Sequence, residues 1–213
     1  AHLAKVSIFQ KKKVLYYSHE MSFEKLAGRL DASLSNVLTW ELRNQSALVA
    51  EKVNKVGQQY GDILIIKNYP MRRARVSDYQ RHMEQLRRQH NFIPDVIIVD
   101  YINVVAPEIR TGASYHDVGS IYGDLIGLCQ ELNMWGFTAA QGNRGSRHAE
   151  LLDVDGLADS YMGSMDSHVV ITLNQTPDEY RKKTMRLFIA KDRSGLGKVI
   201  IPIHNEFERG NFF

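Results

Sequence analysis

Four short apolar runs each end in a polar residue, and those polar ends are the residues equipped for chemistry. Val14-Leu15-Tyr16-Tyr17-Ser18 leads into His19-Glu20, and Val96-Ile97-Ile98-Val99 leads into Asp100. Gly136-Phe137-Thr138-Ala139-Ala140 leads into Gln141, and Arg186-Leu187-Phe188-Ile189-Ala190 leads into Lys191-Asp192-Arg193. A carboxylate delivered by a buried strand, as Asp100 is, can hold magnesium or a water of its shell. A second carboxylate, Glu20, can polarise an attacking water. Gln141 can hydrogen-bond a phosphate and sense whether it is there. Lys191 and Arg193 are two apart in a strand and so share a face. Together they offer a point charge and a planar fork to a polyanion. This is the equipment of nucleotide hydrolysis. Each residue also has a plain structural reading: a helix cap for Asp100, a solvated turn for Glu20, a satisfied turn amide for Gln141, and a solvated strand end for the cation pair.

The elements that must position these groups can be read from the same sequence. The first three runs are followed by loops or helices, which predicts parallel strands in an α/β sheet. Ligands of such sheets bind outside the carboxyl ends of the strands. A helix is expected over 2–10, then a basic turn at Lys11-Lys12-Lys13. Ser22 can cap a helix from Phe23 to about Asn36, with Glu24 in its first turn. Further helices are expected from Ala47 to Gln59, from a Ser77 cap to about Gln89, and from His116 to Asn133. Gly119, Gly123 and Gly127 of the last one share a face, which predicts close packing of that helix on the sheet. Strands are expected from Asp62 to Lys67 and from Val169 to Leu173. Met185–Arg193 and Lys198–Asn205 flank Ser194-Gly195-Leu196-Gly197 and read as a hairpin. The loops 106–115 and 142–156 are long for a compact domain, which points to function or disorder.

Bulk composition narrows the class without naming a substrate. The 213 residues are 44% hydrophobic and 24% charged, the balance of an ordinary globular protein. A net charge of +3 and a pI near 8.9 permit a nucleic-acid partner without requiring one. Arg110 in the first long loop, with Arg144 and Arg147 in the second, could contact a nucleic-acid backbone. The basic stretch Lys67, Arg72, Arg73, Arg75, Arg81, Arg87 and Arg88 is interrupted by Asp78 and Glu84 and reads as solvated surface or subunit contact. The single cysteine, Cys129, excludes an internal disulfide framework. It reads as a small buried apolar residue in a reducing compartment. No apolar run approaches the roughly 20 residues of a membrane span, no signal peptide is visible, and a cytoplasmic location is expected. Ala1–Phe9 reads as the middle of an amphipathic helix, so the chain is expected to begin inside a domain.

Four stretches in order, Tyr17-Ser18-His19-Glu20-Met21-Ser22, Ile97-Ile98-Val99-Asp100-Tyr101, Ala140-Gln141-Gly142-Asn143-Arg144-Gly145 and Ala190-Lys191-Asp192-Arg193-Ser194-Gly195, resemble the RecA-like motor domain of DnaB-type replicative helicases, especially bacteriophage members. The resemblance covers nearly all of residues 1–213. It implies an α/β, RecA-like fold with a mainly parallel sheet flanked by helices and a C-terminal β-hairpin. It implies ATP and Mg2+ as cofactors. Glu20 would be the catalytic glutamate, Asp100 the Walker B aspartate and magnesium site, and Gln141 the phosphate sensor. Arg193 and Lys191 would be the finger arginine and its companion, acting on a neighbouring subunit's nucleotide. Ser18 joins Asp100 among the expected nucleotide-site residues. The implied partners are single-stranded DNA, further copies in a hexameric ring, a primase and a helicase loader. Channel loops would fall near 106–115 and 142–165. The family's Walker A loop is expected immediately before Ala1, since no G-x-x-x-x-G-K-[ST] occurs in the sequence. A RecA-like recombinase, a clock-type ATPase switch and a catalytically inactive assembly module are the other readings.

Overall fold

The computed structural model describes residues 1–142, 150–156 and 161–213. Its first part alternates helix and strand: α1 (His2–Phe9), β1 (Val14–Ser18), α2 (Phe23–Ser35), α3 (Ser46–Tyr60), β2 (Leu64–Asn68), α4 (Val76–His90), β3 (Val96–Asp100), α5 (Ser114–Glu131) and β4 (Trp135–Thr138). The strands pair in parallel in the order β2-β1-β3-β4. Every residue of β1 is buried, because strands lie on both its edges and helices on both its faces. That is why its sequence is a continuous apolar run rather than an alternation.

Alternation reappears in the packing. Leu15, Tyr17, Ile97 and Val99 join Tyr79, Met83 and Leu86 of α4 and Ile121, Leu125 and Leu128 of α5. Val14, Tyr16, Val96 and Ile98 point the other way and meet Ala4 and Ile8 of α1 and Leu26 and Leu30 of α2. Side chains of even-numbered residues at the end of β1 and β3, Ser18 and Asp100 included, therefore belong to the α1/α2 face.

The remainder comprises α6 (Tyr161–Asp166), β5 (Val169–Asn174), α7 (Pro177–Arg181), β6 (Thr184–Asp192), β7 (Val199–Glu206) and β8 (Asn211–Phe212). These strands form a second sheet, antiparallel, in the order β5-β6-β7-β8. The expected hairpin is β6–β7, and its turn uses Gly195 at φ +95°. Asn211 of β8 locks the two parts together. Its side-chain carbonyl accepts from Lys5 Nζ at 2.6 Å and from Ser33 Oγ at 2.8 Å.

Three local expectations are corrected. Ser77 is not the cap of α4: the cap is Arg75, two residues earlier, whose N–H is met by Asp78 at 2.8 Å. Ser77 instead gives its N–H and hydroxyl to Glu108, at 2.8 and 3.0 Å, so a carboxylate distant in sequence satisfies the helix end. Gly123 and Gly127 of α5 are exposed, with open space where a side chain would be. The close approaches are at Gly136 and Gly163: a Cβ there would lie 2.7 Å from Cys129 Sγ and 2.1 Å from the Tyr122 ring, respectively. Finally, β4 ends at Thr138 rather than Ala140, so Gln141 lies in the connection beyond it. Cys129 packs against the core, and burial pushes its thiol up to about 11. Among the described residues, no helix is long and apolar enough to cross a membrane.

Candidate functional site

Glu20 is carried by a turn that the neighbouring strands pin from several sides. The fully buried Ser18 gives its hydroxyl to the Met21 carbonyl at 2.8 Å, and Asn68 Nδ2 donates to the same carbonyl at 2.6 Å. Tyr69 N–H donates to Ser18 O at 2.9 Å, and His19 N–H donates to Asp100 O at 2.8 Å. With both ends of the turn fixed, the exposed Glu20 projects beyond the sheet edge. Ser18 thus contributes to the site by building this turn.

His19 points inward. Its Nε2 lies 2.5 Å from Tyr79 Oη, and its ring stacks on Tyr69 at 5.8 Å and 18°. Tyr79 in turn stacks on Tyr17 at 4.1 Å and 13°. Burial lowers the His19 pKa, with the Pro70 carbonyl and the Asp100 charge opposing it. The imidazole next to Glu20 is therefore a neutral packing element at neutral pH.

Asp100 is directly opposite Ser18 in the register of β1 and β3. Tyr16 Oη donates to Asp100 Oδ2 at 2.7 Å. Burial, and next the Asp100 charge, push the Tyr16 pKa upward. Thr138 of β4 braces the same point: its hydroxyl donates to Val99 O at 2.9 Å and accepts from Ile102 N–H at 3.1 Å. The backbone is thereby held on both sides of Asp100. α1 packs on the sheet face to which the Asp100 side chain belongs.

Gln141 is exposed, three residues past the end of β4, on the edge where β1 and β3 also end. Parallel pairing thus brings Glu20, Asp100, Ser18 and Gln141 to one side of one sheet. Lys191 lies in β6 of the second sheet, and Arg193, expected in the same strand, directly follows its end. Both donate to the carbonyl of Met165 near the end of α6, Arg193 at 3.3 Å. The shared acceptor shows the common face that their spacing predicts. Burial, and then the Arg193 charge, lower the Lys191 pKa, with Asp166 opposing. Arg193 is exposed, before a turn in which Asp192 accepts from Ser194 N–H and Oγ.

Of the proposed nucleic-acid contacts, Arg110 is exposed in a loop tethered by Ala106 N–H to Ala74 O and by Thr111 to Asp117. Arg144 and Arg147 lie outside the described residues. Tyr16, Thr138 and Met165 are contributors that sequence reasoning missed. Only the alternation placing Tyr16 and Asp100 on one face could have pointed to the first of them.

The donor set fits a hard divalent cation. Asp100 supplies an oxygen at an open strand end, and magnesium typically takes one or two carboxylates plus phosphate and water. The fold itself, a parallel sheet between helices continued by an antiparallel one, is RecA-like. Two solved structures share it. One is an ATPase domain with a TM-score of 0.80 and 19% identity, covering 98% of this chain and 76% of that one. The other is a DnaB-like replicative helicase studied with its primase interactions, with a TM-score of 0.81 and 17% identity, covering 99% and 52%. Residues 1–210 match the model of the DnaB-like helicase C terminal domain, and the chain belongs to that family. It is 28% identical over 154 residues to the DnaB-like replicative helicase of Enterobacteria phage T4, a stretch covering 69% of this chain and 32% of that protein. The chain thus spans about a third of the length of that relative. Nothing in the fold or these comparisons favours a recombinase, a clock-type switch or an inactive assembly module.

Proposed function

We propose that this domain is the ATP-hydrolysing motor of a replicative DNA helicase, working at subunit interfaces of a ring on single-stranded DNA. The observation that carries the reading is the braced Asp100 carboxylate, set beside the Glu20 turn. Asp100 holds Mg2+, directly or through water. When bound, Mg2+ neutralises charge on the phosphates of ATP. Glu20 orients and polarises the attacking water. Gln141, at the end of the connection leading from β4 into the 142–165 segment, senses the terminal phosphate and relays its loss to the DNA-contacting loops.

Lys191 and Arg193 act on the neighbour's nucleotide and stabilise charge developing in the transition state. A contact of this kind is heterologous, and repeated with the right rotation it closes a ring; six copies are our reading. Arg110, Arg144 and Arg147 contact DNA phosphates without reading sequence. Primase and a helicase loader are partners of the whole protein, which works in the cytoplasm.

The test is DNA-stimulated ATP hydrolysis by the full-length protein. Asp100→Asn should abolish the stimulated rate while leaving the fold intact by circular dichroism. A variant with near-normal turnover would remove Asp100 from the site and the reading with it.

A further inference from the structure

Nothing in the strand-end pattern gives Tyr16 a role, since it lies in the middle of β1 and reads as core. In the structure it is 3% exposed, packed among Val14, Leu26, Leu30 and Ile98 on the α1/α2 face. Its hydroxyl nevertheless leaves the apolar layer and reaches Asp100 Oδ2, two residues further along the neighbouring strand, at 2.7 Å. A buried hydroxyl needs a partner, and here the partner is the one carboxylate placed to hold a metal. Among the described residues, no hydrogen bond reaches Oδ1.

We propose that Tyr16 is a positioning residue for the metal site: it occupies one carboxylate oxygen of Asp100 and thereby fixes which oxygen faces the cation. This rests on the reading of Asp100 as a magnesium ligand. The physical case is that a carboxylate rotates about its Cβ–Cγ bond unless something holds it. Strand pairing fixes only the Asp100 backbone. Thr138 and His19 hold the peptides on either side of it but do not touch the carboxylate. The Tyr16 ring is wedged in the core, so its hydroxyl is a fixed point, and a hydrogen bond to a charged acceptor is among the stronger ones. Outer partners of this kind tune metal affinity by about 10- to 100-fold. In the structure the hydroxyl donates and the carboxylate oxygen accepts.

The test is Mn2+ binding, followed by electron paramagnetic resonance, to the full-length protein with a non-hydrolysable ATP analogue. Tyr16→Phe should weaken Mn2+ binding by roughly tenfold or more, and the Mg2+ needed for half-maximal ATP hydrolysis should rise in parallel. At saturating Mg2+, kcat should largely return, since the metal ligand itself is intact. A purely structural tyrosine would lower the thermal midpoint and leave the Mn2+ curve in place, and that result overturns the proposal. If Tyr16→Phe does not fold, Tyr16→Met, which fills much of the volume without a donor, takes its place under the same criterion. Asp100→Asn separates the two levels of inference. Lost Mn2+ binding there with unchanged binding in the Tyr16 variant sinks only the positioning role. Unchanged Mn2+ binding in Asp100→Asn sinks the metal-site reading beneath it.

Discussion

Asp100 follows four buried residues, and Tyr16, His19 and Thr138 hold its carboxylate and both flanking peptides. Lys191 and Arg193 stand at the end of β6 beside an exposed glycine-containing turn, and the bonds that align them converge on one carbonyl, that of Met165. On the proposed reading, the first region holds a ligand inside its own subunit, where small displacements are costly. On the same reading, the second presents its cations to a neighbouring subunit from beside an exposed turn. The proposed metal-holding carboxylate and the proposed cation pair thus stand at strand ends of different sheets, which fits a site completed by two copies of the chain.

If that division is right, the exposed region should matter most to rate and least to the fold. Arg193→Ala in the full-length protein should lower turnover by about 10³ to 10⁵, as loss of a finger arginine does. Nucleotide binding and thermal stability should stay close to normal. Equilibrium binding of a fluorescent ATP analogue, set beside steady-state hydrolysis, separates the two effects. Glu20→Gln probes the tip of the braced turn. Turnover should fall by about 10² to 10⁴ with binding retained, because the turn is held by Ser18, Asn68 and Tyr69 and not by the glutamate itself.

Gly163→Ala sharpens the comparison from the other side. Gly163 lies against the Tyr122 ring and fixes the helix that presents the Met165 carbonyl. An added methyl must displace that ring, at about 1–3 kcal/mol of stability. Chemical denaturation should show that loss, and the rate should fall only to the extent that Met165 moves. A neutral substitution would mean that α6 yields easily and does not set the cation pair.

The smallest effect concerns pH. Burial holds the native His19 pKa below its ordinary value near 6.5. Between the native and the ordinary value, the unfolded chain binds the extra proton, so stability falls as pH drops through that window. Thermal midpoints should decline on acidification below about 6.5, and His19→Gln should make the decline shallower. It should not abolish it, because His2 and His82 are shifted the same way. An unchanged slope would mean that His19 is protonated in place and is not part of the brace.

The sequence made the parallel strands readable because β1 and β3 are short, apolar and closed by polar residues. Ser22 announced α2 through its own capping chemistry, and the glycine-containing turn between β6 and β7 announced the hairpin. What stayed hidden depends on contacts distant in the chain. Tyr16 and Asp100 are 84 residues apart, Thr138 and Val99 39, and no local pattern sets the register that joins them. Ser77 misled because its helix end is met by Glu108 rather than by itself. The glycine spacing in α5 fixed a shared face but not which way that face points, and Gly123 and Gly127 on it are exposed. One omission was local: Thr176-Pro177-Asp178-Glu179 carries a capping box with proline at the first turn, and α7 begins there.

The central claim is that the carboxylate edge of one copy and the cation pair of another make one site. Mixing full-length Asp100→Asn with full-length Arg193→Ala tests it most directly. Each variant alone should be nearly inactive. In mixed rings, some interfaces join an intact Asp100 to an intact Arg193 from the neighbour, and the account predicts that hydrolysis recovers in proportion to those interfaces. If both residues serve the same subunit's nucleotide, no mixed interface is complete, and activity that stays at the level of the separate variants would contradict the account.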